Sequence, residues 1–262
     1  MALAIATNNA ALNAAASASS VNRDMETSMA RLSSGKRINS ASDDAAGVAI
    51  SSRLSAEIRS TDQAIRNSLD GQALIDTAEG AHKEIENILQ RMREVTIQAA
   101  NDTNNDQDRA NLQAEIEAMT TEIDRIAGTT TWAGADLMED ATTTFSFQVG
   151  AATGAKNQIS VTIETMNATG LGVGTGAASV VDVTDATKAN TGTGLIDAAI
   201  EDVNIQRSKL GAVSNRLNHT VNNLTNISSN LSAAKGGIED ADFALETTNL
   251  AKNQILQQAS TA

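Results

Sequence analysis

Cysteine and proline are both absent from this 262-residue chain, and each absence removes a class of explanation. Without thiols there is no disulfide framework, no thiolate metal site and no cysteine nucleophile, so packing alone must hold the fold. Without proline no helix is forced to kink and no X-Pro isomerisation slows refolding, which suits a chain that stays unfolded and then folds quickly elsewhere. Tyrosine is missing as well, and aromatics make up only 2% of the residues: Trp132, Phe145, Phe147 and Phe243. Such a supply fits thin aliphatic seams between helices better than a thick aromatic core. No apolar run approaches the ~20 residues that a membrane helix requires. The opening MALAIATNNAALNAA has neither the basic start nor the apolar core of a signal peptide, so any export is expected to bypass the general-secretion signal. Basic residues are scarce too, 19 against 32 acidic ones for a net charge of -13, which argues against a phosphate-gripping nucleic-acid binder.

What the chain does have is 41% apolar residues, mostly Ala, Leu, Ile and Val, enough to bury a core. Residues 1–33 carry only a narrow stripe, Leu12, Val21, Met25, Met29 and Leu32, on an Ala-, Ser- and Asn-rich helix that Gly35 stops. A polar linker follows, Lys36 to Gly47. From Ala45 to about Asn101 the spacing of Ile50, Leu54, Ile58, Ile65, Leu69, Ile85, Ile88, Met92, Val95 and Ala99 predicts one long helix or two nearly continuous ones, with Gly71 and Gly80 as weak points. A turn at Asn101–Asp106 leads to a second helical row, Leu112 to Ile126, ending at Gly128. The period then becomes two: Phe145, Phe147 and Val149, a Gly150–Gly154 turn, and Ile159, Val161 and Ile163 predict a β-hairpin. Residues 166–194, rich in Gly and Thr, predict an exposed loop.

The clearest pattern comes last. Ile196, Val203, Leu210, Leu217, Leu224 and Leu231 fall seven apart, which predicts a coiled-coil-like helix of ~40 residues and ~60 Å. Gly236-Gly237 is expected to interrupt it, and Ile238 to Phe243 to open a final helix bearing Leu245, Leu250, Ile255 and Leu256. The fold class is therefore mainly α: an elongated long-helix, coiled-coil-like bundle with a small β-hairpin and with N- and C-terminal helices packing together. Thin stripes at both ends are what segments need if they order only when neighbouring subunits complete their contacts. The expected subunit-interface residues are Leu12, Val21, Met25, Leu32, Phe243, Leu250, Ile255 and Leu256.

Chemistry is weakly represented, and no catalytic, cofactor or metal site is expected. His82 and His219 have no second ligand at metal spacing, so each reads as a surface or helix-flank imidazole. Asp43-Asp44 reads as a helix cap rather than a cation site. Gly172-Val-Gly-Thr-Gly-Ala177 matches a dinucleotide fingerprint in letters but lacks the strand-helix-strand context, so it reads as loop. In Gln90-Arg-Met-Arg-Glu94 the two arginines either solvate the outer face or pair with another subunit. Asn-x-Ser/Thr motifs at Asn101, Asn167, Asn218, Asn223 and Asn226 carry no weight without a secretory signal.

Five of these segments carry a resemblance. Leu32-Ser-Ser-Gly-Lys-Arg-Ile-Asn-Ser-Ala-Ser-Asp-Asp-Ala-Ala-Gly47, Gln90-Arg-Met-Arg-Glu94 with Gln98, Arg216-Leu-Asn218, Ile238-Glu-Asp-Ala-Asp-Phe243 and Gln254-Ile-Leu-Gln-Gln-Ala259 resemble, in order, the signatures of bacterial flagellin. The resemblance implies a non-enzymatic subunit that polymerises into the flagellar filament for swimming and is exported unfolded through the hollow organelle to the cell exterior. It implies partners in copies of itself, an export chaperone, and the cap and hook-associated proteins. It divides the chain into 1–44 with 236–262 as terminal inner-core helices and linker, 45–165 with 195–235 as the long-helix outer-core domain with its hairpin, and 166–194 as a short variable surface segment. Arg91, Val95 and Glu115 match positions that the innate flagellin-sensing receptor of animals contacts in related proteins, with Val95 where Leu is frequent. The family usually continues past Ala262, so either the chain is shortened or its C-terminal helix is unusually brief. Two alternatives accompany this reading: a hook-filament junction protein of the same architecture, and a nucleotide-binding enzyme.

Overall fold

A computed structural model describes residues 8–139, 142–174 and 180–261. The chain order is helix α1 (Asn9–Ser34), α2 (Ala45–Ala99), α3 (Asp106–Thr129), short strands β1 (Thr131–Trp132) and β2 (Ala135–Asp136), hairpin strands β3 (Thr143–Gln148) and β4 (Gln158–Ile163), then α4 (Ala186–Glu239) and α5 (Phe243–Thr261). Contacts group these into two units, residues 1–60 with 226–262 and residues 61–225. The boundary falls inside α2 and α4, so each of these helices serves both units.

The larger unit is built on two rows of seam residues. Along α4 the buried positions are Ala189, Gly192, Ile196, Ala199, Val203, Gln206, Leu210, Leu217 and Leu224, the three-and-four alternation of a coiled-coil seam. Along this part of α2 a buried row runs Thr61, Ala64, Ser68, Gly71, Ile75, Ala78, His82, Ile85, Leu89, Met92, Thr96 and Ala99, again in steps of three and four, with Leu74 and Val95 buried beside it. Ion pairs place the two helices antiparallel, Arg93 to Asp197 at 2.6 Å and Arg207 to Glu86. α3 begins with a reciprocal Asn105–Asp108 capping box and turns Ile116, Thr120, Ile123 and Ala127 into the same core.

The first half of α2 differs from expectation. Its seam consists of the small residues Thr61, Ala64, Ser68 and Gly71, while Leu69 stays exposed. The hairpin explains the small residues: a Cβ on Gly71 would lie 3.2 Å from the Phe147 ring and 3.3 Å from Leu217. Gly71 is a contact point, not a weak one, and α2 runs through it unbroken. In the hairpin Phe145 pairs with Val161 and Phe147 with Ile159, and every second residue of β4 is buried. Asn67 donates to the Gln148 carbonyl at 3.0 Å and Gln206 to that of Thr162 at 2.8 Å, tying both strands to the helices.

Four further expectations need correction. His82 is no surface imidazole; it is fully buried in the α2 seam, whereas His219 is exposed. The described residues of 166–194 are no exposed loop, for Met166, Ala168, Leu171, Val173, Val181 and Val183 are buried and α4 already begins at Ala186. Side-chain groups from α3 hold that segment: Asp124 accepts from the Ala168 amide at 2.8 Å, and the Gln113 amide accepts from Val183 N at 2.9 Å while donating to Val181 O at 3.4 Å. Gln113 thus offers the backbone the pair of bonds that a neighbouring strand would give. Gly236-Gly237 does not interrupt α4, which continues to Glu239. The β1–β2 hairpin was not anticipated; its turn residues Ala133 (φ 50) and Gly134 (φ 83) both adopt positive φ, the backbone of a tight two-residue turn.

Ala133 is strained where glycine is not, so Ala133→Gly should raise stability by about 0.4–1 kcal/mol. Leu217→Ala should lower it by about 2–5 kcal/mol, since it empties a closed seam position beside Phe147. Both are read as midpoint shifts in urea unfolding followed by circular dichroism.

Candidate assembly interface

Within the smaller unit the two ends of the chain meet. Asn8 caps α1 by accepting from the Ala10 and Ala11 amides, and Gly35, at φ 70, closes its C-terminus. Beyond it, residues 35–37 run beside 239–241: Arg37 N donates to Glu239 O at 2.6 Å and Ala241 N to Gly35 O at 3.0 Å, around an antiparallel bridge of Lys36 with Asp240. Glu239 gathers this junction, accepting from the Ser51 hydroxyl and pairing with Lys36 at 3.2 Å and Lys235 at 3.8 Å. The Ser51 bond, then the Lys36 bond, hold its carboxyl below the usual carboxylate range.

Asp44 caps α2 as the sequence predicts, whereas Asp43 instead holds the preceding turn. Asp44 accepts from Gly47 N at 2.8 Å at the start of α2, and Asp43 accepts from Ser40 N at 2.8 Å and Asn39 N at 3.0 Å. Those backbone bonds lower the Asp43 pKa. Gly47 is required here, because a Cβ would meet Asp44 Oδ2 at 2.5 Å and Ile38 Cδ1 at 2.6 Å. Among the described residues no group of three His, Cys or carboxylates is placed to hold a metal ion. No helix there is long and apolar enough to cross a membrane.

Helices α1 and α5 pack on each other through Arg31, whose Nη1 donates to Glu246 Oε1 at 2.9 Å, and through Gln257, which donates to Asn22 at 2.8 Å. Glu246 is almost wholly buried, and its second oxygen has no partner. Apolar cover is meagre: of the buried hydrophobic side chains among the described residues, Ile38 alone belongs to this unit. Val21, Met25, Leu32 and Leu250 are half-buried. Leu12 is 59% exposed, Phe243 69%, Ile255 66% and Leu256 42%, together with Met29 and Leu245. An unpaired pair of helices leaving this much large apolar surface in water is the mark of a surface made to be covered.

The Gln90–Glu94 cluster pairs within the chain. Arg91 donates through Nη2 to Glu115 on α3 at 2.8 Å and through Nη1 to Glu94 at 2.9 Å, while Arg93 reaches α4. Arg91 and Glu115 are thus brought together at the surface, but Val95 is fully buried and presents nothing to an outside partner. The glycine-rich run fares no better as a nucleotide site. A Cβ on Gly174 would lie 2.9 Å from the backbone of Ala168 and Thr169, so this glycine packs on its own chain; residues 175–177 of the run lie outside the described residues.

Comparison with known proteins decides the family. Residues 5–143 match the bacterial flagellin N-terminal helical region, and residues 193–262 match the bacterial flagellin C-terminal helical region. The chain belongs to the bacterial flagellins. It is 43% identical to a flagellin of Halalkalibacterium halodurans over 90% of its own length and 85% of that protein. A flagellin of Bacillus subtilis is likewise 43% identical, over 97% of this chain and 93% of its own. The crystal structure of Bacillus cereus flagellin aligns with a TM-score of 0.50 at 31% identity, covering 65% of this chain and 94% of that one. As a flagellin the protein is a structural subunit that polymerises into the extracellular flagellar filament for swimming motility, and it is not an enzyme. Neither the hook-filament junction reading nor the nucleotide-binding reading is favoured.

Glu246→Ala removes one member of a largely buried pair and leaves the Arg31 guanidinium without its carboxylate. We expect α1 and α5 to lose about 1–3 kcal/mol of mutual stabilisation. Faster amide hydrogen exchange confined to these two helices is the measurement that checks it.

Proposed function

We propose that the exposed stripes of α1 and α5, centred on Leu12, Val21, Met25, Leu32, Phe243, Leu250, Ile255 and Leu256, are the inner-core surface through which copies of this flagellin stack. The carrying observation is the contrast between the units: one closes a dense aliphatic core, while the other buries only Ile38 among its described large apolar side chains and leaves Leu12, Met29, Phe243, Leu245, Ile255 and Leu256 in water. Charge supports the same division. Residues 1–60 with 226–262 hold eight basic and nine acidic side chains, whereas residues 61–225 hold 11 and 23. Near-neutral surfaces are brought together at little electrostatic cost, while a strongly acidic one stays solvated and keeps its neighbours apart.

On this reading the subunit leaves the cell unfolded through the flagellar export channel, attended by an export chaperone, and is placed at the growing tip among cap and hook-associated proteins. The terminal helices line the inner tube and the long-helix unit forms the outer one. An animal flagellin receptor would meet Arg91 and Glu115 as a preformed ion pair, with Val95 acting only from within the core.

The double variant Phe243→Asp with Ile255→Asp tests the assignment. Sedimentation and electron microscopy should show tubes from the unaltered chain and none from the variant, with the circular dichroism and urea midpoint of the long-helix unit retained. Tubes of undiminished length from the variant would overturn the proposal.

A further inference from the structure

His82 occupies a seam position of α2 between Ala78 and Ile85, with no exposed surface, and neither imidazole nitrogen has a hydrogen-bond partner. A neutral ring tolerates such a place at the cost of its lost water bonds; a charged ring does so only at far greater cost. The charged groups that act on it are Arg207 on α4 and Glu79 one turn away on its own helix. No carboxylate is free to receive the proton's charge. Glu86 is committed to Arg207, and Glu79 lies 3.6 Å from the same guanidinium. The buried residues of α3 are the uncharged Ile116, Thr120, Ile123 and Ala127, and just beyond β4 Glu164 is paired with Lys209 at 2.6 Å. Burial therefore pushes the His82 pKa down to about 4, and Arg207 acts in the same direction. The Ala78 carbonyl, which does not reach hydrogen-bond geometry, and Glu79 oppose the shift without cancelling it.

We infer that His82 is an acid latch for the long-helix unit: the folded seam refuses a proton that the unfolded chain accepts, so mildly acidic solution opens the unit through this one side chain. The direction follows from linkage. The folded pKa lies below the ordinary value of 6.5, so the unfolded state binds more protons between the two, and stability present in full above pH 6.5 is lost as the pH falls towards 4. Carboxylates whose pKa values the fold lowers, such as Asp182, give up their contribution only as the pH falls below their ordinary range, near 4. The two windows overlap only below about pH 5, so any loss between pH 6.5 and 5 belongs to His82.

The test uses the full chain, dispersed as monomer, unfolded in urea at a series of pH values from 7.5 to 4. The unfolding equilibrium constant should rise by up to tenfold per pH unit below 6.5, about 30-fold by pH 5 and about 150-fold by pH 4 from His82 alone. His82→Leu, which fills the seam with an aliphatic group, and His82→Gln, which keeps a polar group without a titration in this range, should both flatten that dependence. His219→Asn, at an exposed position, should leave it in place. The imidazole carbon and nitrogen resonances of the folded chain supply a second readout, with His82 remaining neutral well below pH 6. A wild-type profile flat between pH 7 and 4.5, an undiminished slope in both His82 variants, or a folded His82 that titrates near 6.5 would each overturn the inference.

Discussion

The antiparallel seam between α2 and α4 is the constraint on which the rest of this molecule depends. The larger unit is arranged around it: α3 completes it with four inward side chains, the β3–β4 hairpin leans on it where Gly71 leaves room for Phe147, and the segments about Ala168 and Val183 are held through Asp124 and Gln113. The seam uses aliphatic and small side chains almost exclusively, which is why a chain with so few aromatics can still bury a continuous core. Steps of three and four keep one face of a long helix on its partner, so length costs nothing in specificity so long as the row is unbroken.

Legibility in the sequence followed the size of the side chains. The α4 row could be read because Ile196, Val203, Leu210, Leu217 and Leu224 are large and fall at one interval. The first half of α2 could not, because the buried row there is Thr61, Ala64, Ser68 and Gly71, small residues that carry no apolar signal, and Gly71 meets a hairpin ring, Phe147, that lies far along the chain. Residues 166–194 read as exposed because their glycines and threonines suggest a loop, whereas the segments 166–173 and 181–183 are held by amide and carboxylate groups on α3 that no local pattern reveals. His82 was misplaced for a related reason: a lone imidazole between apolar neighbours at seam spacing is ambiguous until its partners in space are known.

At the chain ends, by contrast, the sequence was direct. A narrow stripe on Ala- and Ser-rich helices cannot close a core, and the structure shows those stripes largely in water. The signature segments around Lys36 and Glu239 were legible as motifs but not as a contact; only the fold places Leu32–Gly47 and Ile238–Phe243 side by side. Their polarity is then explained, since the junction is made of backbone bonds, helix caps and one shared carboxylate instead of apolar packing.

Glu239 also bears on the order of events when the chain folds. The bonds that join the termini span 188 positions from Ser51, 215 from Arg31 to Glu246 and 235 from Asn22 to Gln257. Contacts so remote in sequence carry a large loop-closure penalty unless the intervening residues have already collapsed. The two termini must therefore wait, unclasped, until the long seam has drawn the far parts of the chain together.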